Sequence, residues 1–236
     1  MSQPQKYRRA GFLNGLRIVS TDLAAHYRKL FDAIEEVQGQ ESLRMPEESA
    51  IRQAIASSQP PPDSADNVAK RVSLFDPHLT VAFIWEIATN SLLLDTVRSL
   101  LGRRIMLLCS GISCKYGRSS PSVQWHRDAS YLGITPPSFI SAWYALDRSD
   151  LSSGCLEVLP GSHIGTSFST SRSEVGTSEP LELKPGEVSL HHPLLLHRSG
   201  LNQTRSRRCG IVFRYARADV ILTQSSTGRT LRPIGL

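Results

Sequence analysis

The chain has 236 residues, of which 40% are hydrophobic, and a formal net charge of +6 at pH 7. This length and apolar content predict one globular domain with an ample core. No apolar run is long enough to span a bilayer, and residues 1–9 are polar and basic without the apolar core of a signal peptide. We therefore expect a cytoplasmic protein that has no membrane partner.

The positive charge does not by itself indicate a nucleic-acid partner. Basic residues are scattered along the chain and aromatic residues make up only 7% of it, whereas nucleic-acid interfaces concentrate both. Anionic small molecules fit better, and we expect no nucleic acid. Most of the densest basic group should be solvated, while one member inside a site could fork onto a carboxylate; the group is Arg198, Arg205, Arg207, Arg208, Arg214 and Arg217.

The four cysteines lack the paired spacing of a metal site. They are Cys109, Cys114, Cys155 and Cys209. In a cytoplasmic chain of this size we expect them to remain reduced thiols, with core packing as their role.

The first 104 residues are expected to form a mainly helical support. Ser20 or Thr21 can cap a helix that runs to about Ile34, with apolar residues at helical spacing. Residues 38–67 are polar and contain three consecutive prolines, which predicts a weak helix followed by a long loop. A second helical region is predicted over 79–101, with Gly102 as its stop.

From residue 105 onward, short apolar runs alternate with Gly, Pro, Ser and Asp, which is typical of β-strands. This pattern predicts a β-rich core over 105–220 and a tail over 221–236. The Ser/Thr/Gly-rich stretch 165–178 is expected to be a surface loop. The predicted strands cover 105–109, 123–128, 139–146, 155–159, 187–191, 194–198 and 210–215.

His126, Asp128 and His197 are the candidate metal ligands. Two imidazoles and one carboxylate form the set that holds a non-haem Fe(II) on one face and leaves other positions open. Alternate residues of a strand project to the same side, so His126 and Asp128 could grip one ion together. A lone His-x-Asp is also common by chance, and a surface histidine near a surface aspartate is the plainer interpretation.

The surrounding motifs resemble the phytanoyl-CoA dioxygenase (PhyH) family of Fe(II)/2-oxoglutarate oxygenases. The order and spacing of the motifs agree with that family from residue 115 to residue 208. They are Trp125-His126-Arg127-Asp128, Ala142-Trp143-Tyr144, Gly154-Cys155-Leu156, Pro160-Gly161-Ser162-His163, and His192-Pro193-Leu194-Leu195-Leu196-His197-Arg198-Ser199-Gly200, followed by Asn202 and Arg208.

The resemblance implies a double-stranded β-helix, or jelly roll, that binds Fe(II), 2-oxoglutarate and O2. Arg208 stands at the family's offset for the arginine that binds 2-oxoglutarate, and Ser199 at that of a helper hydroxyl. Lys115 resembles a lysine near the cosubstrate or substrate, although a solvated lysine is an equal alternative. Trp143 is a cofactor-contact candidate for which core packing is favoured.

The implied reaction is oxidation, most simply hydroxylation, of a small organic substrate, with release of succinate and CO2, and secondary metabolism is one setting that the resemblance suggests. Related halogenases replace the ligand aspartate by a small residue, whereas Asp128 is intact. Arg127 and Ser153 depart from the family's usual glutamine and asparagine. The alternatives are a non-catalytic metal- or ligand-binding jelly roll and, less favoured, an oxygenase that modifies nucleic acid. Monomer and homodimer remain equally open.

Overall fold

The computed structural model describes residues 1–39, 75–117, 122–132, 137–164, 177–219 and 234–236. Two antiparallel sheets form the core, a six-stranded sheet in the order β1-β7-β4-β9-β2-β10 and a four-stranded sheet in the order β3-β8-β5-β6. The strands are β1 (Phe12–Arg17), β2 (Ile105–Lys115), β3 (Val123–His126), β4 (Phe139–Ala145), β5 (Leu156–Val158), β6 (Glu179–Leu181), β7 (Glu187–His191), β8 (His197–Ser199), β9 (Arg208–Arg217) and β10 (Ile234–Gly235). The predicted jelly-roll core with flanking helices is confirmed.

The helices of the described segments lie outside this core. They are α1 (Gln3–Ala10), α2 (Thr21–Gln38), α3 (Ala82–Ala88), α4 (Ser91–Leu101) and α5 (Ala129–Leu132), with a 3-10 turn at Pro77–Leu79. Helix α2 begins where the sequence predicts, because the Ser20 side chain accepts a hydrogen bond from the Leu23 N–H. No described helix is long and apolar enough to cross a membrane.

The helical region predicted over 79–101 is two helices. Asn90 separates them, and its side chain caps the N-terminus of α4 by accepting a hydrogen bond from the Leu93 N–H. A side chain that satisfies a free helix-terminal N–H favours a new helix start over continuation of the old helix.

Three strands were missing from the prediction. β1 pairs with β7, with Phe12 opposite His191, and β10 pairs with β2, with Ile234 opposite Leu107. β6 adds to the edge of the four-stranded sheet. The first two come from segments expected to be support and tail, so the large sheet extends beyond residues 105–220. These strands are short, and β1 contains a register shift around Gly15, which hides the alternation of a strand.

The six-stranded sheet has two faces with different contents, and strand β9 shows both. Ile211, Phe213 and Tyr215 belong to the main hydrophobic cluster, which also contains residues of α2, α3 and α4; we call this side the outer face. Arg214 on the same strand contacts Asp128, and Val212 packs with Trp143. This inner face looks toward the strands that carry the candidate metal ligands.

Helix α2 is held to the sheet by an ion cluster around Arg207. The Arg207 guanidinium contacts Asp32 at 2.8 Å, Asp147 at 2.8 Å and Glu35. The guanidinium also stacks over the Phe31 ring, with its central carbon 5.1 Å from the ring centroid. The expectation that the basic group is mostly solvated is therefore wrong for Arg207, which is paired with acids from two elements.

Two of the four cysteines are bonded, which corrects the expectation of four reduced thiols. Cys114 on β2 and Cys209 on β9 lie opposite each other in register and form a disulfide, with their Cα atoms 4.0 Å apart. The sequence separation of 95 residues hides this proximity. Cys109 and Cys155 are buried and are not part of a disulfide.

Two predicted loops fall largely outside the described residues. The region 38–67 is described only to residue 39, and the stretch 165–178 only at its last two residues. Their expected loop structure remains a prediction.

Candidate metal centre

Two adjacent strands of the four-stranded sheet bring the candidate ligands together. His126 ends β3 and His197 begins β8, and the two histidines are paired in register. The Nε2 atom of each lies 3.9 Å from Oδ1 of Asp128. One ligand atom from each of these residues lies within 4.8 Å of the other two. This compact donor set has the size of a single-ion site.

Backbone carbonyls orient both imidazoles. His126 Nδ1 lies 2.8 Å from the Gln124 carbonyl oxygen, and His197 Nδ1 lies 2.9 Å from that of Leu195. Because a carbonyl oxygen only accepts, each Nδ1 carries the proton and each Nε2 keeps its lone pair for a metal. Burial, with the neighbouring His126 and His191 imidazoles, holds the pKa of His197 well below its usual 6.5, in the neutral form that a ligand requires.

Asp128 reaches the site from outside a strand, contrary to the sequence-based explanation. β3 ends at His126, and the chain then turns into α5, with the Ala129 N–H donating to the Pro193 carbonyl oxygen. The expected i, i+2 alternation therefore does not set its direction. Arg127 between them is buried and donates to the carbonyl oxygens of Ser162 and Leu194, which anchors the turn.

Three inner-face residues surround the Asp128 carboxylate. Ser141 donates to Oδ2, His191 Nε2 lies 3.2 Å from the same oxygen, and Arg214 Nη2 lies 3.2 Å from Oδ1. Burial acts to raise the pKa of Asp128, but Arg214 and the imidazoles of His191 and His197 outweigh it and hold that pKa well below 3.8. The carboxylate is therefore ionised at neutral pH.

Arg208 lies deeper in the barrel and is 1% exposed. Its Nε donates to Ser149 Oγ at 3.1 Å, and its guanidinium carbon lies 4.2 Å from the ring centroid of Trp143. One terminal nitrogen, Nη2, has no hydrogen-bond partner among the described residues. Burial lowers the pKa of Arg208 to about 10, so the group stays charged at neutral pH and lacks a full set of acceptors.

Lys115 is a second buried cation beside Arg208. The two residues face each other in register across β2 and β9, and Lys115 is also 1% exposed. Its Nζ donates to the carbonyl oxygens of Ser199, at 3.1 Å, and Gly200. Burial, and then the charge of Arg208, lowers the pKa of Lys115 to about 7. The alternative of a solvated lysine is wrong.

Ser199 and Trp143 complete the set of sequence-derived candidates. Ser199 lies two residues beyond His197 and is 4% exposed. Trp143 is also 4% exposed and packs on the backbone of Gly210, where any side chain would overlap the indole. Trp143 therefore has the favoured role of core packing and also contacts the Arg208 guanidinium, while its contact with a cofactor stays a prediction.

The structure adds His191, Ser141 and Ser149 to the site, and none of the three was predicted from the sequence. Arg214 was named only as one member of the basic group. Arg208 and Arg214 are six residues apart on one strand, and so share a face, which is a signal that the sequence does contain. No comparable signal exists for His191 and Ser141, since strand pairing alone brings them together. The adjacent His192, which lies in the motif that resembles the family, accepts a hydrogen bond from the Leu194 N–H and packs near Tyr7 and His163.

Residues 7–210 match the family model for phytanoyl-CoA dioxygenase (PhyH). A probable alpha-ketoglutarate-dependent hypophosphite dioxygenase of Stutzerimonas stutzeri is 32% identical over 162 residues, which cover 61% of this chain and 56% of that protein. The chain thus matches little more than half the length of this relative. The peroxisomal phytanoyl-CoA dioxygenase of Mus musculus is 26% identical over 93% of this chain and 69% of its own length.

Solved structures share the fold. The non-heme alpha ketoglutarate dependent carbocyclase SnoK from nogalamycin biosynthesis superposes with a TM-score of 0.73 at 16% sequence identity, covering 94% of this chain and 86% of that one. At this identity the likeness establishes the fold and leaves the chemistry to the residues of the site.

Proposed function

Because this chain belongs to the phytanoyl-CoA dioxygenase family, we propose that it is an Fe(II)/2-oxoglutarate-dependent dioxygenase. The observation that carries the proposal is the donor set of His126, Asp128 and His197, whose ligand atoms lie within 4.8 Å of one another. Two imidazole nitrogens and one carboxylate suit the borderline ion Fe(II) and occupy only part of its coordination sphere.

The two buried cations support 2-oxoglutarate as the cosubstrate. Arg208 and Lys115 are paired across β2 and β9, and neither has a carboxylate hydrogen-bond partner among the described residues. Burying a charge without a counterion is unfavourable, so a ligand anion is the expected partner. The distal carboxylate of 2-oxoglutarate can accept from the free side of Arg208, with the Ser199 hydroxyl as a further donor.

Each residue then has a stated task. His126, Asp128 and His197 hold the metal, and Arg208 orients the cosubstrate while Lys115 supplies a second positive charge beside it. Trp143 stacks on the Arg208 guanidinium and limits its motion. Burial of Asp128, His197 and Arg208 excludes water from the reacting atoms. Bound Fe(II) with 2-oxoglutarate and O2 supplies the oxidising chemistry, with succinate and CO2 as products.

A small organic substrate, hydroxylation as the outcome, a place in secondary metabolism and a cytoplasmic location belong to the same proposal. The intact Asp128 supports oxidation over halogenation, since a halogenase needs that ligand position open. The burial of Asp128 and His197, each 3% exposed, supports a small molecule over a macromolecule.

An anaerobic titration of the metal-free protein with Fe(II) and 2-oxoglutarate tests the proposal. We expect the weak visible metal-to-ligand charge-transfer band of chelated Fe(II). Asp128→Ala should abolish the band, and Arg208→Ala should require at least about tenfold more 2-oxoglutarate, because a charge-assisted hydrogen bond contributes about 1.5–3 kcal/mol.

Arg205→Ala is the matched control, since Arg205 is an exposed arginine three residues away. It should leave the titration unchanged. Wild-type protein that binds Fe(II) but gives no band with 2-oxoglutarate would overturn the cosubstrate assignment and favour a metal-binding protein without turnover.

A further inference from the structure

A row of residues crosses the inner face of the six-stranded sheet directly below Asp128. Arg214 on β9 is opposite Ser141 on β4, and Ser141 is opposite His191 on β7. Pairing in register places neighbouring side chains of adjacent strands on the same face. All three side chains contact the one carboxylate.

The two oxygens of that carboxylate have different surroundings. Oδ2 accepts hydrogen bonds from the Ser141 hydroxyl and His191 Nε2, which are two donors for the two lone pairs of that oxygen. Among the described residues, Arg214 alone donates to Oδ1, which lies 3.9 Å from the Nε2 atoms of His126 and His197. Oδ2 is thus hydrogen-bonded to Ser141 and His191, whereas Oδ1 is the oxygen that lies near the two histidine ligands.

We propose that His191 and Ser141 are positioning residues that saturate Oδ2, so that Asp128 offers the metal Oδ1 alone. This inference rests on the proposed function, because it concerns the same site. His191 donates from Nε2, since a carboxylate oxygen only accepts, and its Nδ1 has no hydrogen-bond partner among the described residues. Its side chain is 3% exposed, and the Ser141 residue is fully buried.

His191 is distinguished from a ligand by its position. The ligand atoms that lie within 4.8 Å of one another come from His126, Asp128 and His197, and His191 is outside this group. Its Nε2 lies 3.2 Å from Oδ2 of the carboxylate, and its ring centroid lies 4.7 Å from that of His197. A carboxylate bound through both oxygens would take one more coordination position, which a chelating 2-oxo acid and O2 would otherwise use. Blocking Oδ2 therefore keeps that position open.

Metal binding tests the role without any need for turnover. We would measure the dissociation constant for Co(II), by competition with a chromophoric chelator, in wild type, His191→Phe and His191→Gln. Removal of hydrogen-bond partners of metal ligands commonly weakens metal binding about 10–100-fold, so we expect a loss in this range for His191→Phe. His191→Gln keeps an N–H donor at a similar reach and should recover most of the affinity.

His192→Phe is the matched control, because it makes the same replacement one residue away on the opposite face, where His192 contacts Tyr7 and His163. Thermal unfolding of each metal-free variant separates misfolding from lost affinity. Equal Co(II) affinity in wild type and His191→Phe would overturn the inference, as would equal losses in His191→Phe and His192→Phe. Wild type that does not bind Co(II) would instead overturn the proposed function.

Discussion

The two faces of the six-stranded sheet are formed by the same strands but differ in chemistry, because one is apolar and the other carries charged residues. On β9, the outer-face residues Ile211 and Phe213 are fully buried among helix side chains. The inner-face residues are charged instead: Arg208 is 1% exposed, and the half-buried Arg214 side chain contacts the Asp128 carboxylate. Burying apolar area stabilises the fold, whereas burying incompletely paired charge opposes it. We infer that the outer face raises the free energy of unfolding, whereas the charged groups of the inner face lower it and serve to bind a ligand.

Phe213→Ala removes a large apolar side chain from the outer face, and we expect it to cause the largest loss in the free energy of unfolding. Removing a fully buried aromatic side chain from a core leaves a cavity, and the free energy of unfolding should fall by about 3–5 kcal/mol. Urea denaturation of the metal-free protein measures this change. At a temperature where the variant is folded, its affinity for Co(II) should match that of wild type. A loss below about 1 kcal/mol would contradict the role given to this face.

Arg208→Met should have the opposite pattern on the inner face. Methionine fills a similar volume without charge, so the free energy of unfolding should stay within about 1 kcal/mol of wild type, whereas 2-oxoglutarate affinity should fall about 10–100-fold. Urea denaturation and titration of the metal-loaded protein measure the two quantities. Arg205→Met, at an exposed position, should change neither. Arg208→Met would contradict the comparison if it were as destabilising as Phe213→Ala.

Local pattern in the sequence predicts a β-rich core, because short apolar runs between turn residues are typical of strands. The jelly roll and the three ligands were predicted from the resemblance of the motifs around His126, Asp128 and His197 to the family. The prediction is weakest where contacts join distant segments. The Cys114–Cys209 disulfide links residues that are 95 positions apart, and strand pairing places His191 beside Ser141.

Even a correct prediction can have the wrong physical basis. Strand alternation predicts that His126 and Asp128 converge, and they do. The strand nevertheless ends at His126, and a turn anchored by Arg127 delivers Asp128. Backbone direction after a strand end depends on tertiary hydrogen bonds, which a spacing pattern does not contain.

Lys115 should give the inner face a measurable pH dependence. Its pKa is lowered from 10.5 to about 7 by burial and by Arg208. Below pH 7 the ammonium is charged in both folded and unfolded protein. Between about pH 7 and 10.5 only the unfolded chain keeps the proton, so this group makes the free energy of unfolding rise with pH. A bound anion nearby would raise the pKa again.

Binding of 2-oxoglutarate above pH 7 should therefore take up a proton at Lys115. The affinity should fall as pH rises from 7 to 9, by at most about tenfold per unit. Calorimetric titration of the metal-loaded protein, in two buffers with different protonation enthalpies, measures the uptake. Lys115→Met removes the titrating group, so its 2-oxoglutarate affinity should be weaker at pH 7 and nearly independent of pH. An equally steep pH dependence in Lys115→Met would assign the proton to another group. In that case Arg208 would be the cation on the inner face that binds 2-oxoglutarate, because Arg208 remains charged across this pH range.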